Sequence, residues 1–133
     1  MKMEPVVHFE MSAENKARMR KFYETAFGWE THQLGKDMEE YVMVTTSATD
    51  KKRMVKKPGT INGGFYQRTS DPKSKAPSVT IHVDDIKKSM ARVEKSGGKV
   101  IGTPNMIPGI GTFVTFFDTE GNRVCMMQYL KKQ

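Results

Sequence analysis

The sequence predicts an α+β fold: two βαβββ modules that form a curved mixed sheet, with a central cleft and the helices on the outer face. Three observations support this prediction. Short segments alternate apolar and polar residues, as strands do. Two longer segments repeat apolar residues at helical spacing. The order strand, helix, glycine, three strands occurs twice within 133 residues, a length that suits a single domain with its own core.

The first module is predicted to span about residues 5–67, and it begins with a strand. In that strand His8 and Glu10 lie on the face opposite Phe9 and Met11. The apolar face is expected to pack in the core. The polar pair is therefore expected to face the cleft.

A helix is predicted from about residue 13 to 26, with Ser12 as its N-cap. Gly28 is expected to end this helix in a left-handed turn. The apolar residues at helical spacing are Met19, Phe22, Tyr23, Ala26 and Phe27.

Three strands are expected to complete this module, at about residues 29–34, 40–47 and 60–67. The last of them contains Gly63-Gly64. Paired glycines weaken a strand and often mark the close approach of another group. Phe65, which follows them, is assigned to the cleft.

A polar segment with two prolines, residues 68–77, is interpreted as a linker. The second module is predicted to span about residues 78–130. Its first strand places Thr80 and His82 on one face, opposite Ile81. These two polar residues are expected to face the cleft.

The second helix is expected to begin after Asp84 or Asp85 and to end near Ser96. A short strand at residues 99–102 and an irregular connection at 103–109 then lead to the final hairpin.

The final hairpin, residues 111–128, consists of two apolar strands around the turn from Asp118 to Asn122. Alternation along these strands divides their side chains between core and cleft. Phe113 and Thr115 share one face of the first strand, and Cys125 and Met127 share one face of the second.

Composition excludes several classes of protein. Apolar residues make up 37% of the chain and charged residues 28%, which is typical of a globular protein and not of a disordered one. No apolar run approaches the ~20 residues of a membrane span, and no signal peptide is expected. The single cysteine excludes an internal disulfide. A reduced, cytoplasmic protein is therefore expected.

The formal charge of +7 is concentrated in the basic loop 51–57, with a further pair at Lys131-Lys132. No aromatic residues lie between these charges to stack on bases, so nucleic-acid binding is disfavoured. An anionic small ligand fits the net charge better, because positive charge raises the local concentration of anions.

The chain resembles the vicinal oxygen chelate superfamily, which includes glyoxalase I, bleomycin-resistance proteins and extradiol dioxygenases. Three stretches carry the resemblance and together cover nearly the whole chain. It is similar to the short, single-domain members, with Thr119 in place of the proline of the family's Asp-Pro-Asp-Gly-Asn loop. The stretches are Val7 to Met11 with Lys21 to Glu30, Val83 to Ile86 with Ala91 to Val100, and Phe116 to Val124.

In metal-dependent members of this superfamily, four side chains bind one divalent ion. The resemblance places them at His8, within residues 61–67, at Ser78 and at Cys125. Only His8 is a usual ligand, and Cys125 stands where lyases of the family have Glu. Three of the four ligand positions are thus lost, and neither a metal cofactor nor a catalytic residue is predicted.

Three functions remain open. The first is a small-molecule binding protein without the metal centre, in the manner of drug-sequestering members. The alternative is a metal-dependent lyase, isomerase or dioxygenase that uses His8, and the third is a dimeric interaction protein without a ligand. The resemblance also implies a homodimer. The residues predicted to contact an anionic or aromatic ligand are His8, Glu10, Phe65, Thr80, His82, Phe113, Thr115, Cys125 and Met127.

Overall fold

The computed structural model describes residues 1–130, so the basic pair Lys131-Lys132 lies outside the described residues. Those residues contain eight strands and two α-helices, which confirms the predicted α+β class. The elements are β1 (Val6–Ala13), α1 (Lys16–Phe27), β2 (Glu30–Gln33), β3 (Val42–Thr45), β4 (Asn62–Gln67), β5 (Ser78–His82), α2 (Ile86–Lys95), β6 (Lys99–Ile107), β7 (Gly111–Phe117) and β8 (Arg123–Tyr129).

The chain divides into two compact units. The first unit is His8–Pro77, and the second combines Met1–Val7 with the chain from Ser78 onward. Each unit has its own apolar cluster. No helix within residues 1–130 has the length and apolar character needed to cross a membrane.

In the first unit the strands lie in the order β2-β3-β4-β1. The β1–β4 pair is parallel, and the other two pairs are antiparallel. Helix α1 packs on one face of this sheet, where the buried residues Val42, Val44 and Phe65 form the core. Phe9, Met11, Met19, Tyr23 and Trp29 pack around them.

Helix α1 starts three residues later than predicted. Strand β1 continues to Ala13 because it pairs with β4 as far as Gln67. Asn15, not Ser12, is therefore the N-cap, and its side chain accepts a hydrogen bond from the Arg18 N–H. The prediction for Gly28 is confirmed, since it ends the helix with φ of 71°.

The predicted apolar stripe of α1 is only partly buried. Met19 and Tyr23 pack against the core. Phe22 and Phe27 are 57% and 64% exposed, so they belong to the solvent side of the helix. A helix lying on a sheet buries only a stripe about 100° wide, which excludes the flanking positions.

Residues 68–77 pack within the first unit. The Arg68 N–H donates to the Ala13 carbonyl at 2.9 Å, and a short 3₁₀ turn spans Pro72–Lys75. Ser74 is only 5% exposed, and its carbonyl accepts the hydroxyl of Ser12. The hydroxyl that was expected to cap α1 thus holds this segment instead.

In the second unit the order is β5-β8-β7-β6, with β5 and β8 parallel. Helix α2 begins after Asp85, whose carboxylate accepts from the Lys88 N–H, so this predicted cap is confirmed. The helix covers one face of the sheet. The buried residues of that face are Val83, Ile86, Val114, Phe116 and Met126.

Strand β6 is longer than predicted, because the irregular connection expected at residues 103–109 mostly belongs to it. It pairs with β7 at both ends, and the register shifts between Ile101 and Asn105. Gly102 lies in that shift with φ of 72°. Residues 102–104 lie opposite Val114 alone, so this bulge accommodates two extra residues in the edge strand.

The N-terminal residues extend the second unit. The His82 N–H donates to the Pro5 carbonyl at 2.9 Å. Lys2 forms an ion pair of 3.1 Å with Asp84, and Arg92 forms one of 3.2 Å with Glu4. Residues 1–7 therefore pack against residues about eighty positions later in the chain.

Candidate functional site

The face of the first sheet opposite α1 carries the polar residues. Paired residues in a ladder point to the same side, and the register joins Glu10 to Gly64, Gly64 to Met43, and Met43 to His32. His8 lies on the same face, two residues before Glu10. The sequence prediction that His8 and Glu10 leave the core is consistent with this register.

Tyr41 is the residue of this face that the sequence analysis missed. Its hydroxyl lies 3.1 Å from His8 Nε2. Its ring lies directly over Gly64, where a Cβ would overlap the phenol oxygen and ring. The expected close approach at Gly63-Gly64 is thereby confirmed; the glycine pair indicated that a group approaches here, but not that the group is Tyr41.

Burial lowers the pKa of His8 to about 4, because the imidazolium loses its hydration on this half-buried face. The Glu10 carboxylate, 3.7 Å from Nε2, favours the charged form. That distance is too long for a hydrogen bond, so desolvation dominates. His8 is therefore a neutral imidazole at physiological pH, able to donate at one nitrogen and accept at the other.

Replacing Gly64 with alanine should displace Tyr41 and break its hydrogen bond to His8. We expect a loss of about 1–3 kcal/mol in the free energy of unfolding, as for other overpacked sites. Urea unfolding measures it. Gly35→Ala is the control, because a Cβ there meets only the movable Asp37 carboxylate at 3.0 Å. The explanation fails if Gly64→Ala costs as much in a Tyr41→Ala background as in the wild type.

In the second unit, the sheet face opposite α2 carries the remaining predicted residues. Thr80 pairs with Cys125, and Cys125 pairs with Thr115. The next row joins His82 to Met127 and Met127 to Phe113. The register therefore places all six on one face, as the alternation of the sequence indicated.

This face contains buried polar atoms. Cys125 is 5% exposed, and its Sγ lies 3.4 Å from Thr115 Oγ1. The hydroxyls of Ser78 and Thr80 are buried without a hydrogen-bond partner among the described residues. A buried hydroxyl without a partner is unfavourable and is usually satisfied by water or a ligand.

Phe65 does not belong to either polar face. It is 0% exposed and packs in the core beneath α1, with its ring 5.6 Å from that of Tyr23. It pairs with Met11 and Val42, both on the helix side of the sheet. The assignment of Phe65 to the cleft was wrong. Gly63 and Gly64 have no side chains, so the sequence before Phe65 has no polar and apolar alternation that would show which face Phe65 is on.

The described residues do not fit the superfamily's divalent metal. Within residues 1–130, no three His, Cys, Asp or Glu side chains are grouped so that they would hold an ion. Gly64, which pairs with Glu10, has no side chain that could bind an ion. The thiol of Cys125 contacts the hydroxyl of Thr115. A hard cation needs several oxygen or nitrogen ligands, which this set does not supply.

Comparison with known proteins settles the family. The model of the Glyoxalase-like domain matches residues 8–127 of the chain. The chain belongs to the glyoxalase-like family. This glyoxalase-like protein is also 28% identical over 116 residues to a Glyoxylase-like domain-containing protein of Didymella fabae, covering 85% of the chain and 84% of that relative.

Solved structures with the same fold include methylmalonyl-CoA epimerases. A variant from Streptomyces coelicolor in complex with 2-nitronate-propionyl-CoA has a TM-score of 0.71 at 11% identity, covering 98% of this chain and all 100% of that one. The Mycobacterium tuberculosis enzyme has a TM-score of 0.64 at 12% identity, covering 95% and 88%. The glyoxalase-like protein thus has the vicinal oxygen chelate fold, and these low identities concern the fold alone.

Proposed function

We propose that this glyoxalase-like protein binds a small anionic or aromatic molecule without the superfamily's metal. The observation that carries the proposal is the pair formed by neutral His8 and Tyr41. The two groups meet at 3.1 Å on a half-buried sheet face, with Gly64 leaving room for the phenol. A few fixed polar groups beside apolar surface are typical of ligand sites.

The residues around this pair have complementary roles. Glu10, with a side chain 21% exposed, accepts hydrogen bonds from a ligand. Met43, in the same row, offers adaptable apolar surface. In the second unit Thr80 is proposed as well, although its unpartnered hydroxyl is buried. The other residues proposed there are His82, Phe113, Thr115, Cys125 and Met127.

The proposal extends to assembly and location. Edge strand β6 exposes Met106 at 72% and Ile101 at 37%, and a second copy of the chain would cover such an edge. We therefore propose a homodimer. Buried, reduced Cys125 suits the cytoplasm. A dimer that binds no ligand would instead be the interaction protein considered above.

The test is a thermal-shift screen of aromatic and anionic metabolites, followed by calorimetry of the hits. CoA esters belong in the screen because a similar fold has been solved with one. Tyr41→Phe should weaken binding about tenfold, the equivalent of one net hydrogen bond, and His8→Ala at least as much. Tyr23→Phe is the matched control, since Tyr23 lies on the core side. Equal affinities of Tyr41→Phe and wild type would refute the assignment of this face.

The rival is a metal-dependent lyase, isomerase or dioxygenase that uses His8. The observation in its favour is the fold shared with methylmalonyl-CoA epimerases. Elemental analysis of purified wild type and His8→Ala separates the two. Stoichiometric Zn, Ni, Mn or Fe in the wild type, lost in the variant, would establish the rival; binding of an organic ligand by metal-free protein supports our proposal.

A further inference from the structure

The basic loop forms an ordered hairpin, which we call the basic hairpin and define as residues 49–55. Thr49 and Val55 form an antiparallel bridge. The Asp50 N–H donates to the Met54 carbonyl at 2.8 Å, and its carboxylate accepts from the Lys52 and Met54 N–H groups at 2.8 and 3.0 Å. This turn orders the backbone that carries the basic side chains.

One of those side chains, Arg53, lines a groove at the edge of the first sheet. This edge groove has a volume of about 360 Å³ and lies beside β2 and β3. It is lined by Glu30, Thr31, His32, Leu34, Met43, Thr45 and Arg53. Met43 belongs to the row that runs through Gly64 to Glu10, so the groove continues the face of the His8–Tyr41 pair.

The edge groove carries an available cation. Among residues 1–130, the Arg53 guanidinium makes no hydrogen bond or ion pair. Lys51, Lys52 and Lys56 flank it in sequence, and Glu30 is the one acidic residue of the lining. The surrounding charge therefore favours an anion, which a guanidinium binds through two parallel hydrogen bonds.

The backbone at Arg53 adds a separate observation. Its φ of 64° lies in the left-handed region, which glycine adopts without strain and a branched or long side chain does not favour. A glycine would suit this turn better. Backbone strain at such a position is a common feature of ligand sites.

We propose that the edge groove is a subsite for an oxyanion, a carboxylate or phosphate, carried by the ligand. Arg53 binds the oxyanion, His32 on the same groove lining is a second donor, and Met43 and Leu34 contact the apolar part. The proposal deepens the proposed function and rests on it for the organic part of the ligand. The oxyanion contact itself is independent of His8 and Tyr41.

The experiment is a titration of the ¹⁵N-labelled protein with inorganic phosphate, and separately with acetate, at constant ionic strength. Saturable amide shifts are expected in β2 and the basic hairpin. Arg53→Gln should weaken the binding about tenfold, since a charge-assisted bidentate contact is lost. Lys52→Gln is the matched control, because it removes the same charge from the same hairpin but does not line the groove. The stronger of the two anions identifies the oxyanion class.

Equal weakening by Arg53→Gln and Lys52→Gln would show general attraction to positive charge and would overturn the subsite, as would shifts that never saturate. Tyr41→Phe separates this outcome from the proposed function. Phosphate or acetate binding that needs Arg53 but not Tyr41 supports the subsite, even if no organic ligand binds at the His8–Tyr41 pair. An organic ligand that needs Tyr41 but not Arg53 supports the proposed function alone.

Discussion

Replacing Phe65 with alanine is expected to lower the free energy of unfolding by about 3–5 kcal/mol, the usual cost of removing a buried aromatic ring. The side chain is 0% exposed and packs with Val42 and Val44 in the core of the first unit. Its removal leaves a cavity that the paired strands β3 and β4 cannot close. Equilibrium unfolding in urea measures the change.

Phe27→Ala is the matched control for Phe65→Ala. The substitution is the same, but Phe27 is 64% exposed at the end of α1, so we expect a loss below about 1 kcal/mol. Similar losses in both variants would contradict the placement of Phe65 in the core. Ligand affinity offers a second readout, since a core residue changes stability and leaves the affinity of the folded protein nearly unchanged.

Acidification is expected to destabilise the wild type through His8. Its pKa is 6.5 when unfolded and about 4 when folded, so the unfolded chain binds more protons between these values. The stabilising contribution is complete above pH 6.5, declines as the pH falls, and is lost below about 4. At ~1.4 kcal/mol per pKa unit, the loss is at most about 3.5 kcal/mol.

His8→Gln isolates this contribution, because glutamine keeps a donor and an acceptor without titrating in this range. The carboxylates titrate in both proteins, so their contributions to stability cancel when the variant is subtracted from the wild type. The stability of wild type minus that of the variant should therefore fall between pH 6.5 and 4 and be constant above that range. A difference independent of pH would mean that His8 is hydrated in the folded protein.

The sequence predicted β5, β7 and β8 of the second sheet well, because their alternation is uninterrupted, but it missed most of β6, where the register shifts at Gly102. Thr80 and His82 alternate with Ile81 along β5, and the parallel pairing of β5 with β8 aligns them with Cys125 and Met127. Period-two patterning is a local signal, so no knowledge of strand order was needed. The cap at Asp85 was predictable for the same reason.

The first sheet was harder to predict because its key features depend on distant pairing. Both Ser12 and Asn15 are good caps, and the choice depends on β1 extending along β4. Tyr41, which directly precedes β3, meets His8 of β1 only because β3 and β1 both pair with β4. Arg53 reaches the edge groove only after the basic hairpin has formed. No local sequence pattern identifies the partners in these three arrangements.

The attachment of residues 1–7 to the second unit has a consequence for folding kinetics. While the nascent chain emerges, these residues have no partner until β5 and α2 have been synthesised, since Pro5 pairs with His82 and Glu4 with Arg92. Closing so long a loop is entropically costly, and non-local contacts slow folding. The N-terminal segment is therefore expected to dock late, after residues 8–77 have begun to fold.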